Sequence, residues 1–256
     1  MIIKRSNTHW EQPEFWTKGN QTTSSTSGNV PKYTEFSYAT RGNHTQRVVR
    51  SQGLCQDIQG THYSYIPIGK VASTFMSEFL AQLKWVNQPW NYNDIDKHRI
   101  PKKYMVVLRD PVERWCSGIV EYLVNHRMFI EGNDNPGWTL RDREMLDFIF
   151  GVAKFDRHTC SQVDYLHGLD TNDCVFFKLD NNFEDTMKRF AEKELRSPIN
   201  DVIIRDFAYN TSERETHKKL RNTIDFQIKN NPRYMKTIKD HFADDFVLFN
   251  QVTFYE

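Results

Sequence analysis

The stretch Gly69-Lys70-Val71-Ala72-Ser73-Thr74 concentrates groups that bind an anion. Gly69 permits close backbone approach, Lys70 brings a flexible positive head, and Ser73 and Thr74 bring hydroxyl donors. In a turn between a buried strand and a helix, the backbone N–H groups of Val71, Ala72 and their neighbours would aim at the same anion. The competing reading is a solvated turn followed by an ordinary helix cap. The segment is not a full GxxxxGK[ST] loop: Ser64 stands where its first glycine would fall, and Val71 follows the lysine. A Mg²⁺-dependent ATPase or kinase is therefore the second choice.

A separate signal lies at 109–117, RDPVERWCS. Arg109 would sit just past a buried strand, near the positive end of the following helix, where its fork of donors suits phosphate. Ser117 adds a neutral donor two turns into that helix. Arg114 is three residues before Ser117 and could also approach the anion; its alternative is a salt bridge to a surface carboxylate.

Both segments need strand–turn–helix units to position them. THYSYIPI at 61–68 reads as a strand, with an amphipathic helix over 74–85 carrying Phe75, Met76, Phe79, Leu80 and Leu83 on one face. Tyr104–Leu108 is a compact apolar run, as expected of a buried strand. Asp110, Pro111 and Glu113 then open a helix over 112–124. Further helices are predicted at 141–153, 183–195, 212–229 and 233–248, and a strand at 174–179. Alternating strands and helices argue for an α/β fold with a mostly parallel central sheet, flanking helices and a P-loop-like phosphate-binding turn. Residues 1–46 read as an irregular N-terminal segment, and 47–256 as a single domain whose C-terminal helices cover the cleft.

Composition bounds these readings. The 256 residues suffice for one sizeable core, and 38% hydrophobic content argues against a disordered chain. With 34 Lys+Arg against 33 Asp+Glu, bulk charge gives no reason to expect a nucleic-acid partner. No run approaches the ~18 apolar residues of a membrane span. The N-terminus lacks the apolar core of a secretory signal, so the cytoplasm is the expected location; the Golgi lumen is the alternative if an N-terminal anchor was removed. Acceptor-like triplets at Asn20, Asn43 and Asn210 are explained by chance. The four cysteines form no CxxC pair or dense framework, which suits a reduced compartment while leaving every pairing open. Cys116 and Cys160 read as structural rather than nucleophilic, and Trp115 and Trp138 as core aromatics.

Taken in order, GKVAST and RDPVERWCS resemble the two nucleotide-binding elements of the PAPS-dependent sulfotransferase superfamily, PAPS being 3′-phosphoadenosine 5′-phosphosulfate. The closest likeness is to its carbohydrate O-sulfotransferase branch. The resemblance spans roughly 60–250; weaker likenesses are FFKLDNNFEDTMKRF at 176–190, YNTSE at 209–213 and HFADDFVLFN at 241–250. It implies that Gly69 through Thr74 receive the 5′-phosphosulfate, with Lys70 catalytic, and that Arg109 and Ser117 receive the 3′-phosphate. It further implies sulfuryl transfer to an acceptor hydroxyl, on a glycan or a small molecule, with adenosine 3′,5′-bisphosphate (PAP) released and no metal required. A non-catalytic nucleotide-binding module is the remaining alternative. The oligomeric state is left open.

The acceptor must lose a proton, and histidine suits that role. His98 lies between the two phosphate motifs, where the chain should cross the cleft; Asp94 and Asp96 are its rivals. His158 falls in DRHTCSQVDYL at 156–166, a segment that, with Gln162, resembles the acceptor side of carbohydrate sulfotransferases. His62, directly before the phosphate loop, is assigned to strand packing.

Overall fold

The computed structural model describes residues 1–3, 54–83, 90–91, 103–125, 159–197, 199 and 215–256. Within them, β1 (Leu54–Asp57), β2 (Tyr63–Tyr65), β3 (Trp90–Asn91), β4 (Lys103–Leu108) and β5 (Cys174–Lys178) form one open sheet ordered β3-β1-β2-β4-β5. β2, β4 and β5 run parallel, whereas β1 joins β2, and β3 joins β1, antiparallel. The α/β architecture with flanking helices agrees with expectation, and the expected parallel character holds for the three strands nearest the motifs. The expected helix at 141–153 and residues 4–46 lie outside the described residues.

β4 lies between β2 and β5 and runs parallel to both. Tyr104 through Leu108 are all buried, so both faces of the strand are covered. The strand expected over 61–68 is cut short at Tyr65. Ile66 still donates to the Met105 carbonyl at 3.1 Å, but Pro67 has no N–H to continue the ladder. Ile68 then folds back to donate to the Ile66 carbonyl at 3.0 Å. β1, unexpected from sequence, is tied to β2 by a hairpin in which Gly60 takes a φ of 78°, a conformation glycine adopts without strain.

The helices are α1 (Ser73–Gln82), α2 (Pro111–Asn125), α3 (Gln162–Leu166), α4 (Phe183–Lys193), α5 (Glu215–Asn230), α6 (Pro232–His241) and α7 (Ala243–Gln251). Phe75 of α1 meets Phe183 of α4 edge-on at 5.1 Å, and Phe190 packs edge-on against both Tyr63 and Phe177. These rings join the apolar residues of β2, β4 and β5 in the main core. Trp115, Cys116 and Ile119 of α2 are buried apart from that cluster, as are Leu220, Ile224 and Ile228 of α5. The single helix expected over 233–248 is two helices, broken at buried Phe242.

The four cysteines are free thiols. Cys116, Cys160 and Trp115 are buried, in keeping with a structural role; Trp138 lies outside the described residues. Among the described residues no helix is long and apolar enough to cross a membrane.

Candidate functional site

The chain leaves β2 through Ile66–Ile68 and turns over Gly69–Ala72 into α1. The left-handed positions of this turn are Lys70, at φ 64°, and Ala72, at φ 58°, rather than Gly69. A side chain held there costs on the order of 1–3 kcal/mol, and such strain is concentrated at functional sites. Val71 is buried, while Ser73 is exposed and Thr74 half-buried at the start of α1. That first turn carries no acidic residue, so the positive end of the helix is not neutralised there.

Gly69 is gripped from two directions. Its carbonyl accepts from Arg114 Nε at 2.8 Å. The Tyr165 hydroxyl makes a backbone hydrogen bond with it. Burial pushes that hydroxyl well above the ordinary tyrosine range, against the pull of Arg114 and Gly69. Arg114 is only 1% exposed and also donates through Nη1 to the Cys160 carbonyl. It therefore makes neither the expected surface salt bridge nor an approach from the surface: it is an internal tie between turn, helix and a third segment.

That third segment, 159–163, holds Arg109. Gln162 Oε1 accepts from the Arg109 amide at 3.0 Å, and its Nε2 donates to the Arg109 carbonyl at 2.9 Å. Asp245 of α7 fixes Gln162 in turn, accepting from the amides of Gln162 at 2.9 Å and Val163 at 3.0 Å and from the Ser161 hydroxyl. Asp110 Oδ1 caps α2, accepting from the amides of Val112 at 2.9 Å and Glu113 at 3.0 Å. Arg109 thus sits between a strand end and a capped helix start, its backbone clamped and its side chain partly open.

The two principal cations meet the same helix. Lys70 Nζ lies 3.2 Å from Glu121 Oε2, and Arg109 Nη2 lies 3.6 Å from Glu113 Oε2. Glu113, Ser117 and Glu121 follow at four-residue spacing, so they share one face of α2. The two glutamates are roughly 12 Å apart along the axis, with half-buried Ser117 between them.

Two residues from α5 join this row without any sequence signal that marked them. Arg221 pairs with Glu113 and with Asp225, at 2.9 Å to the latter, and His217 Nε2 lies 3.9 Å from Glu121 Oε2. Burial lowers the pKa of Arg109, and the neighbouring Arg221 lowers it further, with Glu113 opposing. The charge of Arg221 could have been read as a helical i,i+4 pair with Asp225; its long-range contact with Glu113 could not.

His98, Asp94, Asp96 and His158 lie outside the described residues. Exposed His62 lies with its ring centroid 4.3 Å from that of Tyr63, tilted by 34°, beside the sheet. Among the described residues no cluster of three or more His, Cys, Asp or Glu could hold a metal ion.

The arrangement sets two ion pairs, Lys70–Glu121 and Arg109–Glu113, along one helical row, with a hydroxyl between them and a helix N-terminus beside the first. An anionic ligand would have to draw each cation from its glutamate. Such a surface suits an elongated ligand with two separated anionic groups. Compared with protein-family models, curated proteins and solved structures, the chain matches none.

Proposed function

We propose that this chain transfers a sulfuryl group from PAPS to an acceptor hydroxyl and releases PAP, with carbohydrate hydroxyls as the favoured acceptor class. The observation that carries this reading is the shared row: Lys70 and Arg109 engage one face of α2 on either side of Ser117. PAPS has two anionic ends, and the turn and the end of β4 bring one cation each to this row, Lys70 and Arg109, which would leave Glu121 and Glu113 for the donor.

In the proposed reaction the acceptor oxygen forms a bond to sulfur as the bond from sulfur to the bridging oxygen of the 5′-phosphate breaks. The electron pair stays on that phosphate, and the acceptor proton passes to His98 or His158, with Asp94 and Asp96 as rivals. Lys70, the Ser73 and Thr74 hydroxyls and the Val71 and Ala72 amides stabilise the charge that develops on the leaving side. This P-loop-like role requires Lys70 to exchange Glu121 for the donor. Arg109 and Ser117 select the 3′-phosphate.

The test is a labelled-PAPS transfer assay over glycans and small hydroxyl compounds, run with and without Mg²⁺. Label on an acceptor without metal dependence is the expected result. Tight PAPS binding with no transfer would point to a binding module, and Mg²⁺-dependent phosphoryl transfer from ATP to a kinase.

A further inference from the structure

A guanidinium that is 1% exposed is an expensive way to fill space. An apolar side chain of like volume would pack there without desolvating a charge. What it could not do is hold two carbonyls from distant segments at once, which the planar fork of arginine does. Arg114 Nε takes Gly69 and Nη1 takes Cys160, while Nη2 makes no hydrogen bond among the described residues. Two residues beyond Cys160, Gln162 holds both backbone groups of Arg109. A closed circuit results: turn to Arg114, Arg114 to segment 159–163, and that segment back to Arg109, five residues before Arg114.

We infer that Arg114 is a positioning residue that sets the separation between the Lys70 turn and Arg109, and thereby the preference for a nucleotide carrying a 3′-phosphate. The preference rests on the donor reading above; the clamp itself does not. Arg114 touches neither phosphate. It keeps the two anion-binding ends in register, so that a ligand seated on one meets the other without rearrangement.

The experiment compares the unmodified protein with Arg114→Lys and Arg114→Met. Calorimetry gives the affinities for PAP and for adenosine 5′-monophosphate, and amide hydrogen exchange is followed without ligand. Lysine keeps the charge but cannot span both carbonyls, and it serves alone if the methionine variant does not fold. In Arg114→Lys, exchange is expected to rise at 66–76 and 159–163 while β4 and β5 keep their protection. The preference for PAP over the monophosphate should fall about tenfold, the scale of one lost charged hydrogen bond.

Unchanged exchange at both segments would overturn the clamp whatever the ligands do. A rise spread evenly over the sheet as well would overturn it too, because that is general loss of stability. Equal weakening of both nucleotides, with their ratio preserved, would overturn the selectivity role. If the unmodified protein itself does not distinguish PAP from the monophosphate, the donor reading fails and the selectivity role with it; hydrogen exchange then still decides the clamp.

Discussion

Lys70 and Glu121 are held 3.2 Å apart across the gap between the turn and α2. The carboxylate therefore competes with any anion for the lysine head. Lys70→Ala should lower turnover by about 100- to 1,000-fold with the fold intact, the scale of one lost charge-stabilising donor. Glu121→Gln should do the opposite to binding, tightening PAP a few-fold because a partly exposed ion pair of ~0.2–1 kcal/mol no longer opposes it. Calorimetry with PAP and initial-rate assays separate the two effects. Weaker binding in Glu121→Gln would mean that the glutamate orients the lysine rather than competing for it.

Gln162 holds Arg109 by both backbone groups, so Gln162→Leu removes two hydrogen bonds at once. The expected loss of stability is about 1–3 kcal/mol, because the Arg109 amide and carbonyl lose their partners. Urea denaturation measures the stability, and PAP binding should weaken more than monophosphate binding. A fully stable variant with normal PAP affinity would show that the strand end holds Arg109 unaided.

Asp245 gives the molecule a pH dependence with a definite sign. Burial raises its carboxyl above the ordinary 3.8, against the hydrogen bonds from Ser161 and Gln162 and the attraction of Arg114. A carboxyl raised in the folded chain binds its proton more tightly there than in the unfolded chain. Its contribution to stability therefore declines as pH climbs from the unfolded value through the folded one. Asp245→Asn cannot ionise and lacks this slope. Denaturation from acid to neutral pH should show the advantage of aspartate over asparagine shrinking as pH rises. An advantage that grows would mean the donors outweigh burial.

The thiols should be slow to react. Burial pushes Cys116 well above its ordinary range and Cys174 up to about 12, leaving little thiolate at neutral pH. A thiol reagent should modify the native protein slowly and titrate four groups once it is unfolded without reductant. Fast modification of one thiol in the native state would contradict the burial of these sites.

Where sequence and structure agree, the cause is local. Val106, Val107 and Leu108 announce a strand because nothing polar interrupts them, and Asp110-Pro111 announces a helix start because the cap lies two and three residues from its donors. β1 escaped because Leu54–Asp57 is short and mixes apolar Leu54 and Cys55 with polar Gln56 and Asp57, its place being set by pairing with β2 and β3 rather than by a local apolar run. The break at Phe242 escaped because no glycine or proline marks it; the chain turns there with Phe242 itself buried. At the candidate site, residue types singled out Lys70, Arg109 and Ser117, and the structure sets all three along α2. The roles of Gln162, Asp245, His217 and Arg221 arise from contacts across long stretches of chain, which no periodicity encodes. Arg114 was misassigned for the same reason: its spacing on α2 suited the surface, while its partners 45 and 46 residues away drew it inside.

The buried circuit through Arg114 also dictates when the site can come into being. Its ties join Gly69 to Arg114, Arg109 to Gln162 and Ser161 to Asp245, separations of 45, 53 and 84 residues. Closing loops of that size precedes any reward from the contacts they make. A nascent chain whose synthesis has not reached α7 therefore lacks the carboxylate that secures segment 159–163. Competence to bind should emerge with the last helices, as an all-or-none event rather than by gradual maturation.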